Sequence, residues 1–247
     1  MSRVSSYDEI AEMYHALWAD WYLPAALPAL EQLFFSRVPA GSRVLDVCCG
    51  SGHVTKELVR RGYQITGIDS SAALIAYARS ELPQVDFRVQ DVRCIQLERH
   101  YDAALSTFDS LNHLLTPDDL QMALSGVHGI LRTGGLFVFD MNLEEAYSLD
   151  IQEWTVDISP NRIGLVRGTY DPVTKKASTE LICFSKISED NLWRQSRSVV
   201  EQRCYNQSEI VYALTQAGFR RIETVSARAA GVTSGLGFGR IFFSAWR

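Results

Sequence analysis

Cysteine is scarce: Cys48, Cys49, Cys94, Cys183 and Cys204 are odd in number and scattered. No Cys-x-x-Cys pair occurs, which removes the common zinc and redox spacings and speaks against a disulfide framework. The adjacent Cys48 and Cys49 read as small apolar fillers, and no metal site is expected. No uninterrupted apolar run approaches the ~20 residues that cross a bilayer. Basic residues are not in excess: 24 Lys and Arg face 29 Asp and Glu, a formal charge of −5. A general nucleic-acid binder would show the opposite balance. Met1–Ile10 lacks the basic stretch and apolar block of a secretory signal. The expectation is a cytoplasmic protein with no membrane segment.

What the chain does have is a core. Of 247 residues, 47% are hydrophobic and 21% charged, ordinary values for a globular protein. The organising stretch is Val44–Gly52 (VLDVCCGSG). Arg43–Val47 is a buried-strand run, glycines break it, and Val54, Leu58 and Val59 return with helical spacing. A strand, a glycine turn and a helix N-terminus let a ligand approach bare backbone amides.

Further units follow. Gln64–Ile68, Val85–Gln90 and Tyr101–Ser106 read as strands, and Ser71–Glu81 reads as a helix capped by Ser70 or Ser71. Thr116-Pro117-Asp118-Asp119 combines a hydroxyl cap, a proline at the first helical position and acids at the positive end of the dipole. That helix is expected to run to about Leu131 and stop at Gly134-Gly135, before a fifth strand over Leu136–Asp140. Alternation of this kind predicts an α/β fold with a doubly wound parallel sheet. Ahead of it, Ile10, Met13, Tyr14 and Leu17 share a helical face, and a second helix falls within Pro24–Arg37. Between Leu143 and Tyr205 the pattern changes to antiparallel strands: Gly164–Tyr170, Ala177–Ile187 and Leu192–Tyr205. Helical residues resume at Gln207–Ala217 with Asn206 and Glu209 as a capping box. Arg220–Ser226 and Arg240–Trp246 are the last strands, and the glycine-rich segment 231–239 between them reads as a mobile loop. The organisation is thus a helical cap (1–40), a core (41–142 with 206–247) and a β insertion (143–205) that covers the cleft or pairs two copies in a homodimer.

The acids at the strand ends choose the ligand. A dinucleotide site wants Gly-x-Gly-x-x-Gly/Ala, but Gly50-Ser51-Gly52-His53-Val54-Thr55 ends in threonine. Asp46, four residues before Gly50, would repel a pyrophosphate and attract an ammonium or sulfonium. Asp69 can accept both hydroxyls of a ribose, and Asp91 can accept from an exocyclic amine. Ribose, adenine and a cationic amino-acid tail together describe S-adenosylmethionine.

The ordered set Val44–Gly52, Gly67–Ser70, Gln90-Asp91-Val92 and Ser106–His113 resembles the successive motifs of class I S-adenosylmethionine-dependent methyltransferases. The resemblance covers about 43–140 strongly and the C-terminal elements weakly. It departs at Cys48, where the family usually has its first glycine, and a slightly altered turn is expected there. It implies a Rossmann-like sheet of seven strands, mostly parallel with the last antiparallel. It further implies that Gly50 and Gly52 pass under the methionine portion near Asp46, that Asp69 with Ser70 holds the ribose, and that Asp91 and Val92 hold the adenine. Thr107 and Phe108 would then wall the methyl sulfonium. Within the family, Thr107–Leu114 and Tyr7-Asp8…Tyr14 look similar to small-molecule N-methyltransferases, deoxyaminosugar N,N-dimethyltransferases above all.

An amine acceptor must shed a proton, and His113 is the candidate base; its alternative is a loop histidine bonded to backbone. Tyr14 either orients ligand or is core, and His53 either touches the ligand carboxylate or simply begins the helix. The expected activity is methyl transfer from S-adenosylmethionine to a nitrogen or oxygen of a small metabolite. A non-catalytic cofactor-binding subunit and a methyltransferase acting on RNA or protein are the alternatives, the second opposed by the acidic balance.

Overall fold

The computed structural model describes residues 5–15, 19–98, 100–148, 153–187 and 192–247. A 3-10 turn (Asp8–Ile10) and a short α1 (Ala11–Met13) lead to α2 (Ala19–Leu30), which widens into a π-turn at Glu31–Phe35. Leu17, expected on the face of Ile10 and Met13, lies outside the described residues. The strand–helix units are β1 (Arg43–Val47), α3 (His53–Arg60), β2 (Gln64–Asp69), α4 (Ala72–Glu81), β3 (Asp86–Val89), β4 (Tyr101–Ser106), α5 (Pro117–Ile130) and β5 (Leu131–Asn142). After α6 (Glu144–Tyr147) come β6 (Thr155–Ser159), β7 (Arg162–Asp171), β8 (Lys176–Lys186) and β9 (Trp193–Arg203). The chain ends with α7 (Gln207–Gln216), β10 (Ile222–Ser226) and β11 (Arg240–Trp246).

Seven strands form one sheet in the order β10-β11-β5-β4-β1-β2-β3. β1 pairs parallel with β2 and β4, whereas β11 runs antiparallel between β5 and β10. Alternate residues of the central strands serve opposite layers, as strand geometry requires. Leu45, Ala104, Phe137 and Phe139 pack toward Leu124 of α5 and Leu214 of α7, while Val44, Ala103, Leu105 and Val138 pack toward Ala26 of α2 and Leu58 of α3.

The caps are local and follow the sequence. Ser71 accepts from the Leu74 amide and Thr116 from the Asp119 amide, and Asn206 with Glu209 completes a capping box. Two expectations change. The chain turns from α5 directly into β5 at Leu131, so the Gly134-Gly135 pair lies inside the strand. Gly134 takes a left-handed φ of +76° where the β4–β5 register shifts, a bulge rather than a helix stop. The glycine-rich segment is packed, with Val232 and Leu236 buried in the second layer. At Gly239, with φ +63°, a Cβ would fall 2.1 Å from the Ala146 amide nitrogen, so glycine is what lets this segment lie against α6.

The insertion is a four-stranded antiparallel sheet, β6-β7-β8-β9. Its edge strand β6 is not evident in the sequence, for all but its last residue are exposed and Val156 and Ile158 supply the whole of its apolar pattern. Ile10 and Met13 pack on Leu181, Cys183 and Val200 of this sheet. Asp8 accepts from the Ser71 hydroxyl (2.6 Å) and the Ala73 amide (3.1 Å), so the N-terminal segment bridges β9 and the start of α4.

Candidate active site

β1, β2 and β4 are parallel, so their carboxyl ends emerge at one margin of the sheet. The turn after β1 puts Cys48 (φ +58°) and Gly50 (φ +54°) in the left-handed region. Cys48, where glycine was expected from the resemblance, therefore keeps a glycine-like backbone at a cost of about 1 kcal/mol. The Gly50 amide donates to Asp69 Oδ2 (2.9 Å), and Asp69 Oδ1 accepts from the Ser71 amide (2.8 Å). The last residue of β2 thus ties together the glycine turn and the start of α4. Burial raises the Asp69 carboxyl above its usual range, against those amide bonds. A Cβ at Gly50 would meet the Tyr14 ring at 3.2 Å.

Beyond β3, Asp91 caps the turn Val92–Cys94 by accepting from the Arg93 amide (2.9 Å). The Arg93 guanidinium spans Asp91 (2.5 Å) and Asp119 (3.1 Å) and holds the Asp91 carboxyl below the usual range.

After β4 the chain makes a second left-handed turn, at Phe108 (φ +64°) and Asp109 (φ +47°). Two consecutive non-glycine residues in this region need external support. It comes from Asp140 in β5, whose carboxylate accepts from the Phe108 amide (2.8 Å), the Asp109 amide (3.2 Å) and the Tyr22 hydroxyl (3.1 Å). Arg240, 4% exposed, bonds both Asp140 and Asp109 Oδ1. Asn112 then clamps the region, bonding the Asn142 amide and the carbonyls of Asn142 and Arg203.

His113 ends this turn. Its Nδ1 lies 2.8 Å from the Glu201 carbonyl and its Nε2 lies 2.9 Å from the Tyr7 hydroxyl. Burial lowers its pKa below the ordinary 6.5, with the Asp109 charge opposing, so the imidazole is neutral at pH 7.

These elements enclose a cavity of about 890 Å³, within the range of small-ligand sites. Of the residues expected from the sequence, Tyr14, Cys48, Gly50, Asp69, Ser70, Asp91, Val92, Phe108 and His113 line it, joined by Tyr7 and by Gln202 of β9. Asp46, Gly52, His53 and Thr107 do not. Asp46 is 1% exposed and turned onto the Thr55 hydroxyl (2.5 Å), Gly52 faces Ala78, His53 lies beside the His15 ring and Ser51, and Thr107 is buried. Cys49 packs in the apolar cluster of Ile75 and Phe87, a filler as expected. Among the described residues no group of three or more His, Cys, Asp or Glu could hold a metal. Sequence reasoning missed Asp140, Arg240 and Gln202. Asp140 carried a signal, an acid at a strand end, but Arg240 lies 131 residues from Asp109 and no spacing links them.

Burial pushes the Asp46 carboxyl up to about 7, against the Thr55 hydrogen bond. Its unfolded value is 3.8, so the folded state holds a proton that the unfolded state has released between those values, and stability falls as pH rises from about 4 to 7. Asp46→Asn keeps an acceptor for Thr55 and removes the ionisation. The variant is expected to match the parent at pH 4 and to exceed it at pH 8, by on the order of a few kcal/mol, in urea denaturation. Equal stability at both pH values would show that Asp46 is solvated or paired.

Comparison with known proteins places this geometry. The profile for a methyltransferase domain matches residues 44–135, the whole run from the glycine turn to β5. That stretch, less than half of the chain, is similar to a methyltransferase domain. A Bacillus subtilis (strain 168) protein described as a methyltransferase, YqeM, is 31% identical over 144 residues, 56% of this chain and 53% of that one. The Streptomyces venezuelae dTDP-3-amino-3,4,6-trideoxy-alpha-D-glucopyranose N,N-dimethyltransferase is 30% identical over 111 residues, 45% and 47% of the two chains. The matched region thus spans about half the length of these curated relatives. The solved structure of Streptomyces venezuelae DesVI shares the fold over 99% of both chains, with TM-score 0.78 at 22% identity. The second sheet and the N-terminal segment are therefore part of a shared architecture.

The residues present fit S-adenosylmethionine, the cofactor that the sequence resemblance implies. Two left-handed turn positions expose backbone at the carboxyl end of β1, a carboxylate with spare lone pairs stands at the end of β2, and Val92 offers an apolar wall beside Asp91.

Proposed function

We propose that the protein transfers a methyl group from S-adenosylmethionine to a nitrogen or oxygen of a small metabolite, with an amino group on a sugar as the leading acceptor. The observation that carries this reading is one continuous cavity reaching from the Gly50–Asp69–Asp91 wall to His113, Tyr7 and Gln202. When bound, the cofactor supplies an activated methyl carbon on a sulfonium. The work left to this chain is alignment, exclusion of water and removal of one proton.

In this reading Asp69 accepts the ribose hydroxyls, Asp91 and Val92 take the adenine, and the Gly50 and Cys48 backbone underlies the amino-acid portion. Phe108, fixed by Asp140 and stacked on Tyr22 at 4.6 Å, walls the reacting carbon. His113 accepts the proton of the amine at Nε2, and Tyr14 orients the ligand over Gly50. The N-terminal segment and the second sheet cover the acceptor half. The amino-sugar choice leans on the dTDP-aminosugar relative, while a ubiquinone biosynthesis O-methyltransferase of Xanthomonas axonopodis pv. citri, 36% identical over 111 residues, keeps oxygen acceptors open. No helix among the described residues is long and apolar enough to cross a membrane, and five free cysteines suit a reducing cytoplasm.

The test is a calorimetric titration with S-adenosylmethionine, S-adenosylhomocysteine and NADH, followed by release of S-adenosylhomocysteine across a panel of amino sugars and phenols. Micromolar binding of the two adenosyl ligands and turnover with a panel member is the expected result. Binding of NADH alone, or of nothing, overturns the cofactor; adenosyl binding without turnover on any small molecule overturns the acceptor class.

A further inference from the structure

His113 Nδ1 faces the Glu201 carbonyl, an acceptor only, so this nitrogen carries a proton whether the ring is neutral or charged. The state of Nε2 must then be decided by its own neighbours. Tyr7 hydroxyl, at 2.9 Å, both donates and accepts and suits either state. The other neighbour is Gln202 Nε2, at 3.4 Å, an amide nitrogen that can only donate. A protonated Nε2 would point N–H toward N–H; a bare lone pair would not.

The orientation of that amide is fixed from behind. Gln202 Nε2 donates its other hydrogen to Asp109 Oδ2 (2.6 Å), and the Tyr147 hydroxyl donates to Gln202 Oε1 (3.2 Å). Asp109 is itself held by Arg240 through Oδ1. Exchanging the amide oxygen and nitrogen would set oxygen against carboxylate, so the arrangement has one sense.

We propose that Gln202 is a positioning residue that holds His113 as the neutral tautomer protonated on Nδ1, leaving Nε2 free to take a proton. Its use in catalysis rests on the methyl transfer proposed above; the tautomer does not. The charged and titratable groups around the ring are consistent with the need for such a device. Asp109, on the turn before His113, favours the imidazolium, and Arg240 pairs with Asp109 behind it. Tyr7 and Tyr14 of the N-terminal segment are un-ionised, their hydroxyls raised by burial. Tyr147 of α6 is raised likewise, and Lys176 of β8 and Glu201 of β9 border the same cavity. Gln202 places a donor between the Asp109 carboxylate and the ring.

The test uses the full chain labelled with nitrogen-15 in histidine, the His113 signals assigned by their loss in His113→Gln. The parent is expected to show a single neutral tautomer with its proton on Nδ1 and a titration midpoint below 6.5. Gln202→Glu replaces the donor with acceptors and is expected to raise the midpoint by about one pH unit or more. Gln202→Met removes the donor at similar length and is expected to raise the midpoint, with Nδ1 still protonated against the Glu201 carbonyl; if either variant fails to fold, the other decides. A midpoint within about 0.3 units of the parent, with the Nδ1–H tautomer kept, overturns the proposal. S-adenosylhomocysteine binding is measured on the same samples, so loss of the cofactor reading would register there and leave the tautomer result standing.

Discussion

Arg240→Met is expected to destabilise the protein by about 3–5 kcal/mol at pH 8, the cost of leaving buried carboxylates without their cation. Asp140 is 1% exposed and Asp109 8%. Arg240 is their only cationic partner among the described residues, and methionine fills its volume without offering a donor. The loss reaches the site, because the Asp140 carboxylate that Arg240 neutralises also holds the amides of Phe108 and Asp109 in the left-handed turn. Acid should relieve the defect. Burial already raises the Asp140 carboxyl with Arg240 in place, and removing the cation raises it further. The variant then gains a proton on folding, and its deficit relative to the parent shrinks as pH falls from 8 toward 5. Asp140→Asn in the Arg240→Met background should recover part of the loss at pH 8. Urea denaturation at both pH values checks each statement; a deficit below about 1 kcal/mol at pH 8 would mean that water reaches the carboxylates and the triad is not a buried unit.

Asp69→Ala is expected to weaken S-adenosylhomocysteine binding about a hundredfold or more, measured by calorimetry. Hydrogen bonds to a charged acceptor are worth about 1.5–3 kcal/mol each, and a ribose offers two hydroxyls. The same carboxylate holds the Gly50 and Ser71 amides, so the variant also loosens the glycine turn and should lose roughly 1–2 kcal/mol of stability. Asp69→Asn separates the two effects. It keeps one acceptor oxygen for a backbone amide, so most stability should return while ligand affinity stays low. Affinity within threefold of the parent in both variants would remove Asp69 from the binding site and leave it the turn-holding role alone.

Much of this molecule was legible in the chain because the relevant interactions are local. Val44–Val47 forms a strand because its residues serve two apolar layers. The glycine turn follows because Gly50 and Gly52 tolerate positive φ. Ser71, Thr116 and Asn206 cap helices within three residues of themselves. The acids at strand ends were readable for the same reason, since the end of each strand is set by its own sequence, and parallel pairing brings those ends together.

Tertiary structure alone decided which way those side chains face. Asp46 and Asp69 look equivalent in sequence, yet one turns to Thr55 inside the protein and the other lines the cavity. Arg240 meets Asp109 across 131 residues and Asp140 across 100. His113 has its tautomer set by Glu201 and Gln202 of a sheet that the chain forms some 90 residues later. These pairings draw their energy from desolvation: a buried charge or imidazole takes whatever partner the packed layers bring to it. Desolvation does not exist until the layers close, so the sequence determined the frame and the acids at its rim, and packing decided which of them face the cavity and in what protonation state.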